Sequence, residues 1–250
     1  MTYQPFRITG ADRPGPWLVT CDHATNTVPQ DVRGGSLGLG QADMGRHIAY
    51  DPGAAGVALA LGAALDAPVI TSNFSRLVVD PNRGEDDPTL LMRIYDGTVI
   101  PGNRHADAAE LAHRLDLCYR PYHAALAELA ARRADTAICA VHSFTRRLKG
   151  RPERPWHVGV LHSHLDGRIA RALIPLLEAE GDLVIGDNQP YGGHLPGDSI
   201  DRHALRHGRP NVLIELRQDL IETTAQQQAW GARLAPLLAR ALAAAREMAI

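Results

Sequence analysis

"TAICAVHSF", residues Thr136–Phe144, is the stretch whose reading decides the fold. From Thr136 to Val141 it is apolar at almost every position, the pattern of a strand covered on both faces rather than one with a wet side. The run then ends at an imidazole, His142, followed by Ser143. Far upstream, "VTCDHATNTVP" (Val19–Pro29) has the same layout, an apolar run that ends at Asp22 and His23. Two buried-strand patterns that each end in a histidine raise one question, whether the two ends meet.

Working outward, the other strand candidates are Trp17–Thr20, Pro68–Thr71, Trp156–Leu161, Asp182–Gly186 and Asn211–Leu216. Helical patterns lie between them. Asp43–Leu65 is one, interrupted at Pro52. Asp107–Arg133 is a second, with Leu111, Leu115, Leu126 and Leu129 on its periodic face and a kink expected at Pro121. Gly167–Glu180 and Thr223–Met248 complete the set. This alternation predicts an α/β fold: a single domain over residues 1–250, with a mostly parallel (mixed) central sheet flanked by helices. The segment Ser72–His105 is a long polar loop rich in proline and glycine, a length that in folded domains often carries function.

Composition narrows the classes. The chain is 45% hydrophobic and 22% charged, which is ordinary for a globular protein. A net charge of −2 argues against a nucleic-acid surface, and the cluster Arg146, Arg147, Lys149, Arg151 and Arg154 reads as a solvated basic loop. No stretch reads as a membrane span or a signal peptide, so a cytoplasmic protein is expected. Cys21, Cys118 and Cys139 form an odd set without motif spacing; Cys21 and Cys139, inside strand-like runs, read as buried reduced thiols.

Open parallel sheets bind ligands beyond the carboxyl ends of their strands. The polar residues just past the predicted strands are Asp22/His23, His142/Ser143, His162/His164, Asp187/Asn188 and Glu215/Arg217. Five strands are thus expected to bring imidazoles, carboxylates and an amide to one edge. Any of these histidines taken singly reads as a hydrogen-bonded partner of a nearby loop. His162-x-His164 has a spacing that two zinc ligands can use, although alternate residues point together in any strand. His157 reads as packed; His105, His113, His123, His194 and His207 read as surface residues; Asp182, Asp198 and Asp201 read as turn and cap residues. In "SRLVVDPNRGEDD", Asn82 and Arg83 can hold a carboxylate through an amide and a forked guanidinium, or Arg83 can pair with Glu85 or Asp86. "GDNQPYGG" places Tyr191 on a glycine-rich loop able to close over a ligand or to form a rigid surface turn.

The motifs "CDHATNTVP", "HIAYDPGA", "SRLVVDPNR", "VHSFT", "GVLHSH", "GDNQPY" and "IELRQDLI", in this order from about Trp17 to Ile221, resemble the N-formylglutamate amidohydrolase family. That family is similar in fold to zinc carboxypeptidases and aspartoacylases, so the resemblance implies a zinc-carboxypeptidase-like sheet. It implies His23 and His142 as ligands of Zn2+ or another divalent metal. It also implies Asn82 and Arg83 as the holders of a substrate carboxylate, with Arg76 a cation nearby, and Glu215 as the general base. His162, His164 and Tyr191 would complete the pocket. The chain departs from the carboxypeptidase pattern His-x-x-Glu, because its fourth position is Asn26. A third ligand must then come from elsewhere: Asp43, at the expected start of the next helix, is the choice, with Asp22 and Asp51 open. A second departure is "DHAT" where the histidine-degradation enzyme of the family has Pro-His-Ser-Gly.

The expected activity is metal-dependent hydrolysis of an N-formyl or N-acyl acidic amino acid, a small substrate bearing a carboxylate. Two other classes compete. Asn26 favours a metal-free relative that binds a carboxylate metabolite, and the glycine-rich loop allows a carboxypeptidase- or deacylase-like hydrolase of a larger amide. A serine or cysteine nucleophile is disfavoured, since Ser143 lacks an elbow motif and Cys21 is expected to point into the sheet.

Overall fold

The strands, in chain order, are β1 (Phe6–Thr9), β2 (Trp17–Cys21), β3 (Val69–Ser72), β4 (Ile94–Tyr95), β5 (Thr98–Val99), β6 (Ala137–Phe144), β7 (Val158–Leu161), β8 (Ile185–Asp187) and β9 (Asn211–Arg217). In the computed structural model, which describes residues 3–247, seven of them form one mixed sheet in the order β1-β3-β2-β6-β9-β7-β8, and β4 and β5 make a separate hairpin. The four strands β3, β2, β6 and β9 run parallel. β1 joins antiparallel at one edge, β7 lies antiparallel to β9, and β8 runs parallel to β7. The α/β, mostly parallel sheet expected from the alternation is present.

β2 and β6 are buried at every position, as their unbroken apolar runs require. One face is covered by α2 (Ala54–Ala64), α5 (Arg168–Glu178) and α7 (Thr224–Glu247), which bring Val57, Leu61, Leu173, Leu234 and Leu238 against Val19, Cys139 and Val141. The other face is covered by α3 (Ala108–Arg114), α4 (Arg120–Ala131) and the loop after β3, with Phe74, Leu77, Tyr122 and Leu126 packed on Leu18, Ile138 and Ala140. Each fully buried aliphatic side chain of this kind contributes roughly 1.5–3 kcal/mol. All three cysteines are buried and free.

The expected helix Asp43–Leu65 is split. α1 (Gln41–Met44) ends early, and Pro52 with Gly53 (φ 81°) turns the chain into α2. A Cβ at Gly53 would lie 2.4 Å from the Ile221 carbonyl, so only glycine fits there. The kink expected at Pro121 takes the form of a π turn, Leu115–Tyr119, between α3 and α4, because proline lacks the N–H that the ladder needs. β1 and a short helix, α6 (Ser199–His203), have no counterpart in the expected elements. β1 is a mostly exposed four-residue edge strand without a strong pattern, and α6 is only five residues long. Met248, at the end of the expected last helix, lies outside the described residues. No helix among the described residues is long and apolar enough to cross a membrane.

Candidate metal centre and active-site cavity

Strand register lines up the chemistry. Thr20 is level with Ala140 across β2 and β6, so Asp22, two residues on, comes level with His142. His142 is level with Glu215 on β9, and Glu215 with Gly159 on β7. One transverse row therefore carries an aspartate, a histidine, a glutamate and a glycine. A Cβ at Gly159 would lie 2.2 Å from the Gln189 carbonyl and 3.2 Å from the Glu215 Cβ. Glycine at this position lets the loop after β8 cross the row and wall in Glu215.

Three buried side chains converge beside this row: His23, Asp51 and His142 each offer one ligand atom, all within 4.8 Å of one another. Asp51 Oδ2 lies 3.3 Å from His23 Nδ1 and 2.9 Å from His142 Nδ1. Asp51 arrives from the turn before α2, where its own N–H donates to the His23 carbonyl at 2.9 Å. The opposite nitrogens have their own carboxylates. His23 Nε2 is 2.7 Å from Asp80 Oδ1, and His142 Nε2 is 3.5 Å from Asp22 Oδ2, long for a hydrogen bond. A carboxylate behind each imidazole orients the ring and leaves Nδ1 to ligate, the arrangement metal-binding histidines commonly have. These supports are held in turn: Tyr122 Oη donates to Asp22, while Arg76 Nη2 donates to Asp80 at 2.8 Å and Arg76 Nη1 lies 3.5 Å from Asp51.

The group is charged and buried. Burial opposes ionisation of Asp51, but charge and hydrogen bonds from His23 and His142 outweigh it and hold the carboxyl well below its ordinary range. Burial likewise disfavours protonated His142, yet Asp22, Asp51 and Glu215 raise it well above an ordinary histidine. Glu215 is the contrast: burial raises it to about 7, and its Oε2 has no hydrogen-bond partner. Two histidines and an ionised carboxylate make a nitrogen–oxygen donor set suited to a divalent cation. An adjacent carboxyl near neutral is suited to proton transfer.

A cavity of about 360 Å³ opens over the group. Its walls include Asn82, Arg83 and Asp198 with Leu161, Ile200 and Leu213. Asn82 Oδ1 accepts the Ser199 N–H at 3.3 Å, which turns its amide NH₂ away from α6 as a donor. Arg83 is steadied by Nε donating to Thr89 Oγ1 at 3.0 Å and Nη1 to the Asn82 carbonyl at 2.6 Å. Asp198 caps α6 by accepting the Asp201 N–H, and burial raises its carboxyl to about 7. His47, Tyr95, Phe144, Thr145 and Tyr191 also line it.

The structure thus brings His23, His142, Glu215, Arg76, Asn82, Arg83 and Tyr191 to one cavity. It places Asp43 elsewhere: that carboxylate is partly exposed on α1 and pairs with Arg46 at 2.9 Å, while Asp51 stands between the histidines. Asn26 serves the fold, donating to the Met44 carbonyl at 2.8 Å. His162 and His164 do not join the group. β7 is antiparallel to β9, so its carboxyl end, and that of β8, point away from the Glu215 row. His162 bonds Asp187 at 2.8 Å, and His164 packs edge-on against His194. His123, expected at the surface, is buried: its Nδ1 is 2.8 Å from His203 Nε2 and its Nε2 is 3.0 Å from the Pro81 carbonyl. Its cover is α6, the helix that sequence pattern does not reveal. Asp80 and His47 carry roles that the sequence reading leaves unassigned, although both lie inside the quoted motifs "SRLVVDPNR" and "HIAYDPGA".

Comparison with known proteins bears on the family and the fold. The family model for N-formylglutamate amidohydrolase matches residues 15–222. The gene product Atu2144 from Agrobacterium tumefaciens is similar at 35% identity and a TM-score of 0.89, over 96% of this chain and 96% of that one. N-formylglutamate amidohydrolase from Ralstonia eutropha JMP134 is similar in fold, with 21% identity and a TM-score of 0.64 over 94% of this chain and 98% of that one. No curated protein sequence matches the chain. With most of its length inside the family model, the chain belongs to the N-formylglutamate amidohydrolase family.

Proposed function

We propose that this protein is a metal-dependent amidohydrolase that removes a formyl or other acyl group from an N-acyl acidic amino acid such as N-formylglutamate. The observation that carries the reading is the convergence of His23, Asp51 and His142 beside an unpartnered Glu215, in a cavity that also contains Asn82 and Arg83. The shared focus of His23 Nδ1, His142 Nδ1 and Asp51 Oδ2, with the unpaired buried Glu215 Oε2 on the strand next to His142, fits a divalent cation such as Zn2+. Family membership supports amide hydrolysis.

In this reading His23, Asp51 and His142 hold the ion, and Asp80 and Asp22 set their ring orientations. When bound, such a cation supplies Lewis acidity, making water acidic near a pH of roughly 7 and stabilising charge on the acyl oxygen. Glu215 takes the proton from the attacking water. The water oxygen bonds to the acyl carbon, the C–N bond breaks, and Glu215 returns the proton to the leaving amine. Asn82 Nδ2 and the Arg83 guanidinium hold the amino-acid carboxylate, which fixes the amide between Glu215 and the donor atoms. Arg76 keeps Asp80 and Asp51 in place and adds positive charge to the wall where the oxyanion develops. Tyr191 closes the mouth. His162 and His164, outside the cavity wall, steady the loop that carries Tyr191.

The competing metal-free reading rested on Asn26; Asp51 supplies the carboxylate that Asn26 lacks. Elemental analysis of the purified protein, followed by assays on N-formyl, N-acetyl and peptide substrates, tests the proposal. Bound or readily restored zinc together with release of the acyl group is the expected result. Absence of metal binding even after zinc is supplied would overturn it.

A further inference from the structure

The basic loop Arg146–Arg154 has no part in the mechanism above, yet it borders the cavity. A second, open hollow of about 380 Å³ is lined by Arg46, His47, Pro52, Thr145, Arg147 and Lys149. His47 and Thr145 are walls of both hollows, so a ligand seated over the metal-binding group is one side chain away from the groove. Neither Asn82 nor Arg83 lines the groove. Those two are held from the α4 and α6 side, where Ser199 bonds Asn82 and Tyr119 Oη donates to the Arg83 carbonyl. The groove is held from the α2 side, where Ser143 Oγ donates to the Pro52 carbonyl at 2.8 Å and Gln218 Nε2 donates to Ser143 Oγ at 3.3 Å.

Charge in the groove is unbalanced. Its one carboxylate, Asp96, is engaged by Arg46 at 2.9 Å and His47 at 3.5 Å. Nearby Glu153 pairs with Arg146 at 2.8 Å, and Asp219 with Arg217 at 2.7 Å. Arg147 and Lys149 therefore border the groove without a carboxylate partner among the described residues. Arg154 adds a further cation where the two hollows meet, its Nη1 donating to Tyr191 Oη at 3.0 Å and to the Thr145 carbonyl at 3.3 Å. Unneutralised cations beside a cavity raise the local concentration of anions and orient them. A substrate whose carboxylate sits at Asn82 and Arg83, with its amide over the metal-binding group, has the rest of the cavity for its acyl chain, and that cavity shares the walls His47 and Thr145 with this groove. A formyl group is a single carbon and leaves the groove unused.

We propose that the groove is an acyl-side carboxylate subsite, and that the preferred substrate is an N-acyl amino acid whose acyl chain ends in its own carboxylate. Hydrolysis then releases a dicarboxylate and the free amino acid. This inference rests on the proposed function for the seat of the amide and deepens it.

Two substrates of equal chain length isolate the charge: N-glutaryl-L-glutamate and N-pentanoyl-L-glutamate differ only in the terminal carboxylate. Both are assayed with the zinc-supplied wild type and with the double variant Arg147→Ala/Lys149→Ala, whose changes fall on exposed side chains. The wild type is expected to prefer the glutaryl substrate in kcat/KM. The double variant should lose roughly three- to thirtyfold of that preference, the range expected for two exposed charge contacts, mostly through KM and with a flatter salt dependence. An unchanged preference in the variant, or a wild type that prefers the pentanoyl substrate, would overturn the subsite. Calorimetric binding of glutarate to both proteins reads the groove without turnover. If no acyl glutamate is cleaved, the proposed function fails by itself, and the calorimetry decides the groove: weaker glutarate binding in the variant retains it, whereas equal or absent binding discards it.

Discussion

Two ends of the sheet carry the same residue types and differ in everything else. At the carboxyl ends of β2, β6 and β9, Asp22, His23, His142 and Glu215 are buried; Asp22, His142 and Glu215 lie level with one another, and Asp51 joins the two histidines. At the carboxyl ends of β7 and β8, His162 pairs with an Asp187 whose side chain is 65% exposed, and His164 is exposed. The difference is strand direction. A parallel neighbour places its terminal polar residues in the same row, while an antiparallel one sends them to the opposite edge. Near the surface His162 and Asp187 form a local pair of small worth; in a buried row the same types constrain each other's protonation and collect donor atoms at one point.

The sharpest way to break this contrast is to remove one histidine from each end. His142→Ala is expected to lose bound metal and turnover to background, whereas His162→Ala should keep both within about twofold. Metal analysis beside a single-substrate assay reads both, and an equal loss in the two variants would erase the distinction. Next in size, Glu215→Gln should lower kcat by about 10²–10⁴ while metal content stays unchanged, because the amide keeps the shape and removes the base. Near-full activity in that variant would remove Glu215 from the mechanism.

A finer comparison lies within the buried row. Asp80 lies 2.7 Å from its histidine and Asp22 lies 3.5 Å from its own. Asp80→Asn should weaken metal affinity about 10–100-fold in competition with a chelator, and Asp22→Asn should weaken it less. The reverse order would mean that the shorter contact is not the one that orients a ligand.

A separate effect, on stability and not on the metal group, is one of pH. Asp198 ionises at 3.8 in an unfolded chain and at about 7 in the folded protein, raised chiefly by burial. The folded state thus holds this proton more tightly. The stability tied to it is fully present below 3.8 and is lost as pH rises to about 7. Asp198→Asn, which retains a competent helix cap, has no such titration. Its stability relative to wild type should therefore rise across that window in denaturant unfolding at a series of pH values. A constant difference would show that the carboxyl is not protonated in the fold.

Much of this architecture is legible in the chain. The six strand candidates, the interruption at Pro52, and the placing of His23, His142 and Glu215 at strand ends follow from unbroken apolar runs that stop at polar residues. That information is local, and local physics is the same in any fold. Other features depend on partners far away in sequence. Strand β7 is short and buried on both faces, and its side-chain pattern is identical whether it runs up or down; only its pairing with β9 set the direction that takes His162 and His164 out of the site. Asp43 lies in the short helix α1 and Asp51 just before α2, and the tight turn of Gly53 against Ile221 is what brings Asp51 to the histidines and leaves Asp43 to Arg46. His123 is buried by a five-residue helix too short to leave a periodic signal. Side-chain pattern records which residues avoid water, whereas the direction a strand runs and the carboxylate that completes a site are properties of contacts between distant segments, and those exist only once the chain has folded.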